Sequence, residues 1–212
     1  MLIALAALLF APKTLTLTPT DDVWVYEHAG DPAHDPYLRV WGNGGKAVSD
    51  DPADISQYSY GYLRWDLSEI PTGSKLISAK LIVNQVAEPA YTTEEAKANP
   101  LEARAMSETF DEKSWSFALS SKVFPKRAPE SVYGSGYPSL ISKDGRVVPI
   151  TIDLMSGKGD FAAAIQGAKS LCLGLTSKLD PSVGGMTSVY KVYSKDADRP
   201  ENRPVLVLSF SN

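Results

Sequence analysis

The side chains best suited to chemistry in this sequence are two histidines, a set of aspartates and one cysteine. His28 and His34 flank Asp31 and precede Asp35 in a loop with turn-forming Gly30 and Pro32. Such a mixture can hold a metal, but the spacing fits no standard zinc pattern. Asp50, Asp51 and Asp54 offer oxygen ligands to calcium, which takes about six to eight of them. That makes a structural calcium the one cofactor to expect, although the segment has no EF-hand layout. Cys172 lies in the apolar run Leu171-Cys172-Leu173-Gly174-Leu175 with no histidine near it in sequence, and reads as a small core residue. A single cysteine allows no internal disulfide. Hydrolase elbows, zinc-protease motifs and phosphate-cradling loops are all missing, so no catalytic residue is assigned and the chain reads as a non-enzyme.

Aromatic side chains give a different chemistry, because their rings stack on sugar faces while polar neighbours fix orientation. Trp41, Tyr58, Tyr60, Trp115, Tyr133 and Tyr137 are the candidates. Tyr133-Gly-Ser-Gly-Tyr137 reads as the most loop-like of these settings. Trp24 and Trp65 lie mid-strand and read as buried. Arg39 can meet the carboxylate of an acidic sugar.

These residues must be held by strands. Thr14 to Pro19 alternates Thr and Leu, which places Leu15 and Leu17 on one face. Strands are expected at 23–26, 37–41, 58–67, 75–86, 103–106, 147–154, 170–176, 188–194 and 204–210. Short helices are expected within 88–101 and over 161–168, the second with Asp160 as N-cap. The stretch 111–146 reads as loop-rich. In the strand around 63, side-chain alternation sends Leu63, Trp65 and Leu67 to the core and Tyr62, Arg64 and Asp66 to the other face. Pro71 and Gly73 mark a turn. The expected fold is all-β, an antiparallel, jelly-roll-like β-sandwich with one or two short helices.

The chain has 212 residues, with 15 Gly and 15 Pro, which favours many short elements in one domain over residues 14–212. The net charge of −4 speaks against nucleic acid as a partner. Residues 1–13 form a separate apolar segment. Its first eleven residues carry no polar side chain, too few to span a bilayer as a helix. It is similar to the apolar part of an export signal, although no basic residue precedes it. This points to an exported, extracellular or cell-surface protein.

The order of several signals resembles the DNRLRE domain family. The residues are Asp21-Asp22 before a strand; Arg64-Trp65-Asp66-Leu67 followed by Ile70-Pro71-Thr72-Gly73 and Ala79-Lys80-Leu81; Trp115 in a loop; Ser194-Lys195-Asp196; and Arg203-Pro204-Val205-Leu206. The resemblance covers roughly residues 20 to 210 and implies a secreted, non-catalytic β-sandwich related to polysaccharide-binding modules, some for acidic glycans. Two functions follow as expectations. The favoured one is a structural subunit that assembles with copies of itself into a surface fibre or matrix by strand addition. Leu2, Ile3, Leu5, Leu8, Leu9 and Phe10 would fill a neighbour's groove, and Leu15 and Leu17 would extend the ladder. The alternative is a module that binds polysaccharide.

Overall fold

The computed structural model describes residues 12–25, 27, 31–53, 56–86, 89–141, 144–185 and 189–211. Eleven strands are found among them, in two antiparallel sheets. The first sheet runs β1 (Lys13–Leu17), β11 (Val205–Ser211), β5 (Lys75–Gln85), β10 (Tyr190–Tyr193) and β3 (Tyr37–Val40), and β8 (Val148–Asp153) also pairs with β5. The second runs β2 (Asp21–Trp24), β4 (Gly61–Asp66), β9 (Ser170–Thr176), β6 (Leu101–Ala105) and β7 (Val132–Gly136). The all-β sandwich expected from the alternating sequence is the fold observed.

Alternation explains the core between the sheets. Leu63 and Trp65 of β4, Leu81 and Val83 of β5, Leu173 and Leu175 of β9, and Leu206 and Leu208 of β11 all point inward and are buried in one cluster. Trp65 is 0% exposed. Each such side chain contributes about 1.5–3 kcal/mol through its removal from water.

The outward face of the second sheet is buried as well. Val23 and Val25, Tyr58, Tyr60 and Tyr62 pack under Ala47 and Val48 on one side and Met106, Phe110 and Val123 on the other. The long loops therefore form a third layer. This layer decides the fate of several aromatic residues.

One segment departs from its sequence reading. Tyr133-Gly-Ser-Gly136 is not a loop but the greater part of β7, paired with β6, and Tyr137 follows it directly. Its glycines serve close backbone approach. A Cβ on Gly134 would sit 2.0 Å from the Asp153 carbonyl oxygen, and one on Gly136 would sit 2.5 Å from that of Thr151. Both oxygens belong to β8, so the glycines let β7 close the sandwich against the other sheet.

The helices are short. In α1 (Thr93–Ala98) Thr92 and Glu95 form a capping box. The others are α2 (Phe117–Ser120), α3 (Phe161–Ile165) and α4 (Pro181–Gly184). Asp160 caps α3 by accepting from the Ala163 N–H at 2.9 Å, as the sequence predicts. Gly73 has φ 78° in the turn before β5, a conformation that favours glycine.

Strand β1 lies on the edge of its sheet, antiparallel to β11, with Leu17 opposite Leu206. Leu17 is buried and Leu15 packs on the core. Leu2, Ile3, Leu5, Leu8, Leu9 and Phe10 lie outside the described residues. No helix among the described residues is long and apolar enough to cross a membrane.

Candidate functional site

Strand β2 carries two consecutive aspartates into the start of the sandwich. Asp22 is buried, and its main-chain N–H donates to Glu112 Oε2 at 2.9 Å. Its carboxylate accepts the main-chain N–H of Lys195 at 2.6 Å. The Lys195 ammonium in turn lies 3.0 Å from Glu112 Oε1 and 2.9 Å from Asp196 Oδ1. Four residues from three segments distant in sequence thus close one network. Burial pushes the Asp22 carboxyl up to about 7, against the Lys195 N–H, which holds it down, and with Asp196 and Glu112 adding to the rise.

Beside this network, Arg64 of β4 donates to the Phe110 carbonyl at 3.3 Å and lies 3.4 Å from Asp21. Asp66 does not join it; its carboxylate accepts the Ser68 N–H at 2.9 Å and closes a turn. Arg64 and Glu112 together pin the segment that leads into a one-turn 3-10 helix, Glu112–Ser114. Asp111 caps that turn by accepting the Lys113 N–H at 2.9 Å. Trp115 follows directly. Its ring packs 5.1 Å from Tyr62 and edge-on, 6.1 Å, against Phe110. Tyr60 lies behind Tyr62 at 6.5 Å and Tyr58 behind Tyr60 at 5.9 Å.

The result is a fixed, half-buried indole at the wall of a cleft of about 300 Å³. Phe117, 36% exposed, lines the same cleft. Glu27, Asp31 and His34 line it as well, with Glu112 and Lys113 from the segment that carries Trp115. His34 lies 3.0 Å from Asp31, whose hydrogen bond and charge raise the imidazole pKa. Aromatic rings beside convergent polar groups suit stacking and hydrogen bonding to a polar, flat-faced ligand. The Glu112 oxygens are held by Lys195 and the Asp22 N–H, so this carboxylate acts as a strut.

No family model matches the chain, and no curated protein is significantly similar to it.

Of the aromatic residues singled out by sequence, Trp115 is the one in the cleft. Trp41, 3% exposed, donates its indole N–H to the Gln57 carbonyl at 3.2 Å. Tyr60, 1% exposed, accepts the Ser49 N–H at 2.8 Å. Tyr58 and Tyr133 are buried too, and Tyr133 packs edge-on against Phe161 at 5.2 Å. None of these four offers a ring face to solvent, because Trp41 packs in the core between the sheets, the loop layer covers Tyr58 and Tyr60, and the segment after β8 covers Tyr133. Tyr137 is 39% exposed but follows β7, at the opposite edge of its sheet from β2. It does not share the cleft. Arg39 pairs with Asp35 and lies 4.7 Å over the Trp24 ring.

Asp50 and Asp51 are engaged by other groups of the chain. Asp50 pairs with Lys46 and, at 3.0 Å, with Arg127. Lys46 is the main cause that holds its carboxyl below the ordinary value. Asp51 accepts the Ala53 N–H at 2.9 Å, and Asp54 lies outside the described residues, as does His28. No group of three or more metal-ligating side chains occurs among the described residues. Cys172 is half-buried, with its sulfur 3.4 Å from the Thr109 hydroxyl.

Sequence reasoning missed Glu112 and Phe117 as cleft residues and singled out His34 only as a metal ligand. A usable signal was present: Asp22 and Arg64 are charged residues within apolar strands, and such residues need partners.

Proposed function

We propose that this chain is a non-catalytic, exported β-sandwich module that binds polysaccharide in the Trp115 cleft. One observation carries the reading. Trp115 is locked by Tyr62, Phe110 and the 3-10 turn while it stays half-exposed and lines a cleft that polar groups also line. A rigid ring in such a setting binds a sugar face with little loss of side-chain freedom. The resemblance to DNRLRE domains supports the same reading, since Trp115, which lines the cleft, and Asp22, Arg64 and Lys195, whose contacts brace the segment that leads to it, are among the residues that carry the resemblance. Asp22, Arg64, Glu112 and Lys195 hold the wall in place and leave the chemistry to shape and stacking. The test is a polysaccharide array probed with the whole chain and with Trp115→Ala. Retention of at least one polysaccharide, lost in the variant, supports the proposal; no retention, or retention equal in both, counts against it.

A second reading is assembly with copies of the same chain. It is favoured by β1, a Thr/Leu strand at a sheet edge that pairs with β11 on one side. Such an edge is a template for strand addition. Deleting residues 1–12 keeps β1 and should leave soluble monomers. Light scattering that still shows polymers after the deletion contradicts assembly through that segment.

A further inference from the structure

The network at Asp22 does more than brace the turn before Trp115, because it brings together the parts of an acyl-transfer site. Glu112 presents a carboxyl group whose two oxygens are held differently. Oε2 accepts the Asp22 main-chain N–H at 2.9 Å, and Oε1 lies 3.0 Å from the Lys195 ammonium. A nitrogen so close to a carboxyl oxygen is also near the carboxyl carbon, which is the contact from which addition starts. The same ammonium donates to both oxygens of Asp196, at 2.9 and 3.1 Å. The Glu112 and Lys195 side chains are 11% and 18% exposed, so little water competes at the pair.

The backbone fixes this arrangement from both sides. The Asp22 carboxylate holds the Lys195 N–H, and the Asp196 N–H donates to the Ser194 hydroxyl at 3.1 Å. Asp111 caps the turn that begins at Glu112. Such positioning turns a condensation that is hopeless between free molecules in water into an intramolecular step. With Cys172 as the only cysteine, no disulfide can join these two segments.

We propose that Lys195 and Glu112 join in an intramolecular isopeptide bond, with Asp196 as proton acceptor and the Asp22 main-chain N–H as oxyanion donor. Burial lowers the Lys195 pKa, but its bonds to Asp196 and Glu112 outweigh burial and raise it above the ordinary value. The ammonium must therefore give up a proton before it attacks, and Asp196 takes it. The Nζ lone pair then adds to Glu112 Cδ. Negative charge develops on Oε2, where the Asp22 N–H stabilises it. The bond from Cδ to Oε1 breaks as the amide forms. Oε1 leaves as water with the proton held by Asp196 and a second proton from the nitrogen. One ammonium and one carboxylate become one amide and one water, with no change in net charge and no oxidant. The bond ties the turn before Trp115 to the segment after β10. It does not depend on the polysaccharide reading, since a covalent strut forms whether or not the cleft holds a sugar.

The test is mass spectrometry of the purified whole chain, first intact and then digested with trypsin. The expected intact mass is one water below that of the sequence counted from its observed N-terminus. The digest should contain a branched peptide in which Lys195 is joined to Glu112. Lys195→Arg keeps the positive charge but should show the full mass and no branched peptide. Asp196→Asn should lower the cross-linked fraction with an unchanged circular dichroism spectrum. The full sequence mass in wild type, or a loss of water that persists in Lys195→Arg, overturns the proposal. An equal cross-linked fraction in folded Asp196→Asn overturns the role of Asp196 as proton acceptor.

Discussion

The main-chain N–H of Lys195 donates to the Asp22 carboxylate at 2.6 Å, across 173 residues of sequence. This bond fastens the segment after β10 to β2, beside the turn that carries Trp115. Asp22→Ala leaves the Lys195 N–H without its acceptor. An unpartnered buried donor costs about 1–3 kcal/mol. A stability loss of that size in urea unfolding is expected, together with weaker glycan retention, because Lys195, which holds Glu112 Oε1 at 3.0 Å, loses its own anchor, while the main-chain N–H of residue 22 still reaches Glu112 Oε2.

The same carboxylate gives stability a pH dependence of known sign. Its pKa is raised from 3.8 to about 7 in the folded chain. Between those values the folded state binds more protons than the unfolded state. Its contribution is full below the unfolded pKa and is lost as pH rises through the folded one. Urea unfolding is therefore expected to show falling stability from about pH 4 to about pH 7. Exposed His34, whose pKa is also raised, acts in the same direction and is common to wild type and Asp22→Asn. The slope should flatten in Asp22→Asn. An unchanged slope contradicts this assignment.

Two kinds of glycine should respond differently to alanine. Gly134→Ala drives a methyl group to 2.0 Å from the Asp153 carbonyl oxygen, so β7 and β8 must separate. The expected outcome is loss of several kcal/mol or failure to fold, an overpacking effect in rigid backbone. Gly73→Ala meets no atom within 4 Å and suffers only its φ of 78°. That costs about 1 kcal/mol. Thermal midpoints of the two variants rank them.

Trp65 and Trp115 provide a second contrast. Trp65→Ala empties a fully buried site between the sheets and should cost about 3–5 kcal/mol. Trp115→Ala removes a half-buried ring and should cost less, with glycan binding as the larger loss. Chemical denaturation of both variants checks the order.

Much of the sandwich was legible because period-2 alternation at Leu63-Arg64-Trp65-Asp66-Leu67 has one physical reading. Asp160 as a helix cap was legible for a similarly local reason. Strand β7 was not, since Gly134 and Gly136 look like turn residues until the neighbouring strand β8 is seen pressing on them. The burial of Tyr58 and Tyr60 was hidden by the third layer, which depends on loops that local pattern does not place. Tyr58, Tyr60 and Tyr62 nevertheless recur at period 2, and three aromatic residues on one strand face already hint at a covered surface. Trp115 was legible as a candidate, whereas its polar surroundings depend on contacts between distant segments.

Binding at the Trp115 cleft is the central claim, and retention of the whole chain on a polysaccharide array tests it most directly. Wild type should be retained by at least one polysaccharide, Trp115→Ala should lose that retention with its fold intact by circular dichroism, and Tyr137→Ala should keep it. Undiminished retention of folded Trp115→Ala, or no retention of wild type by any polysaccharide, would contradict the account.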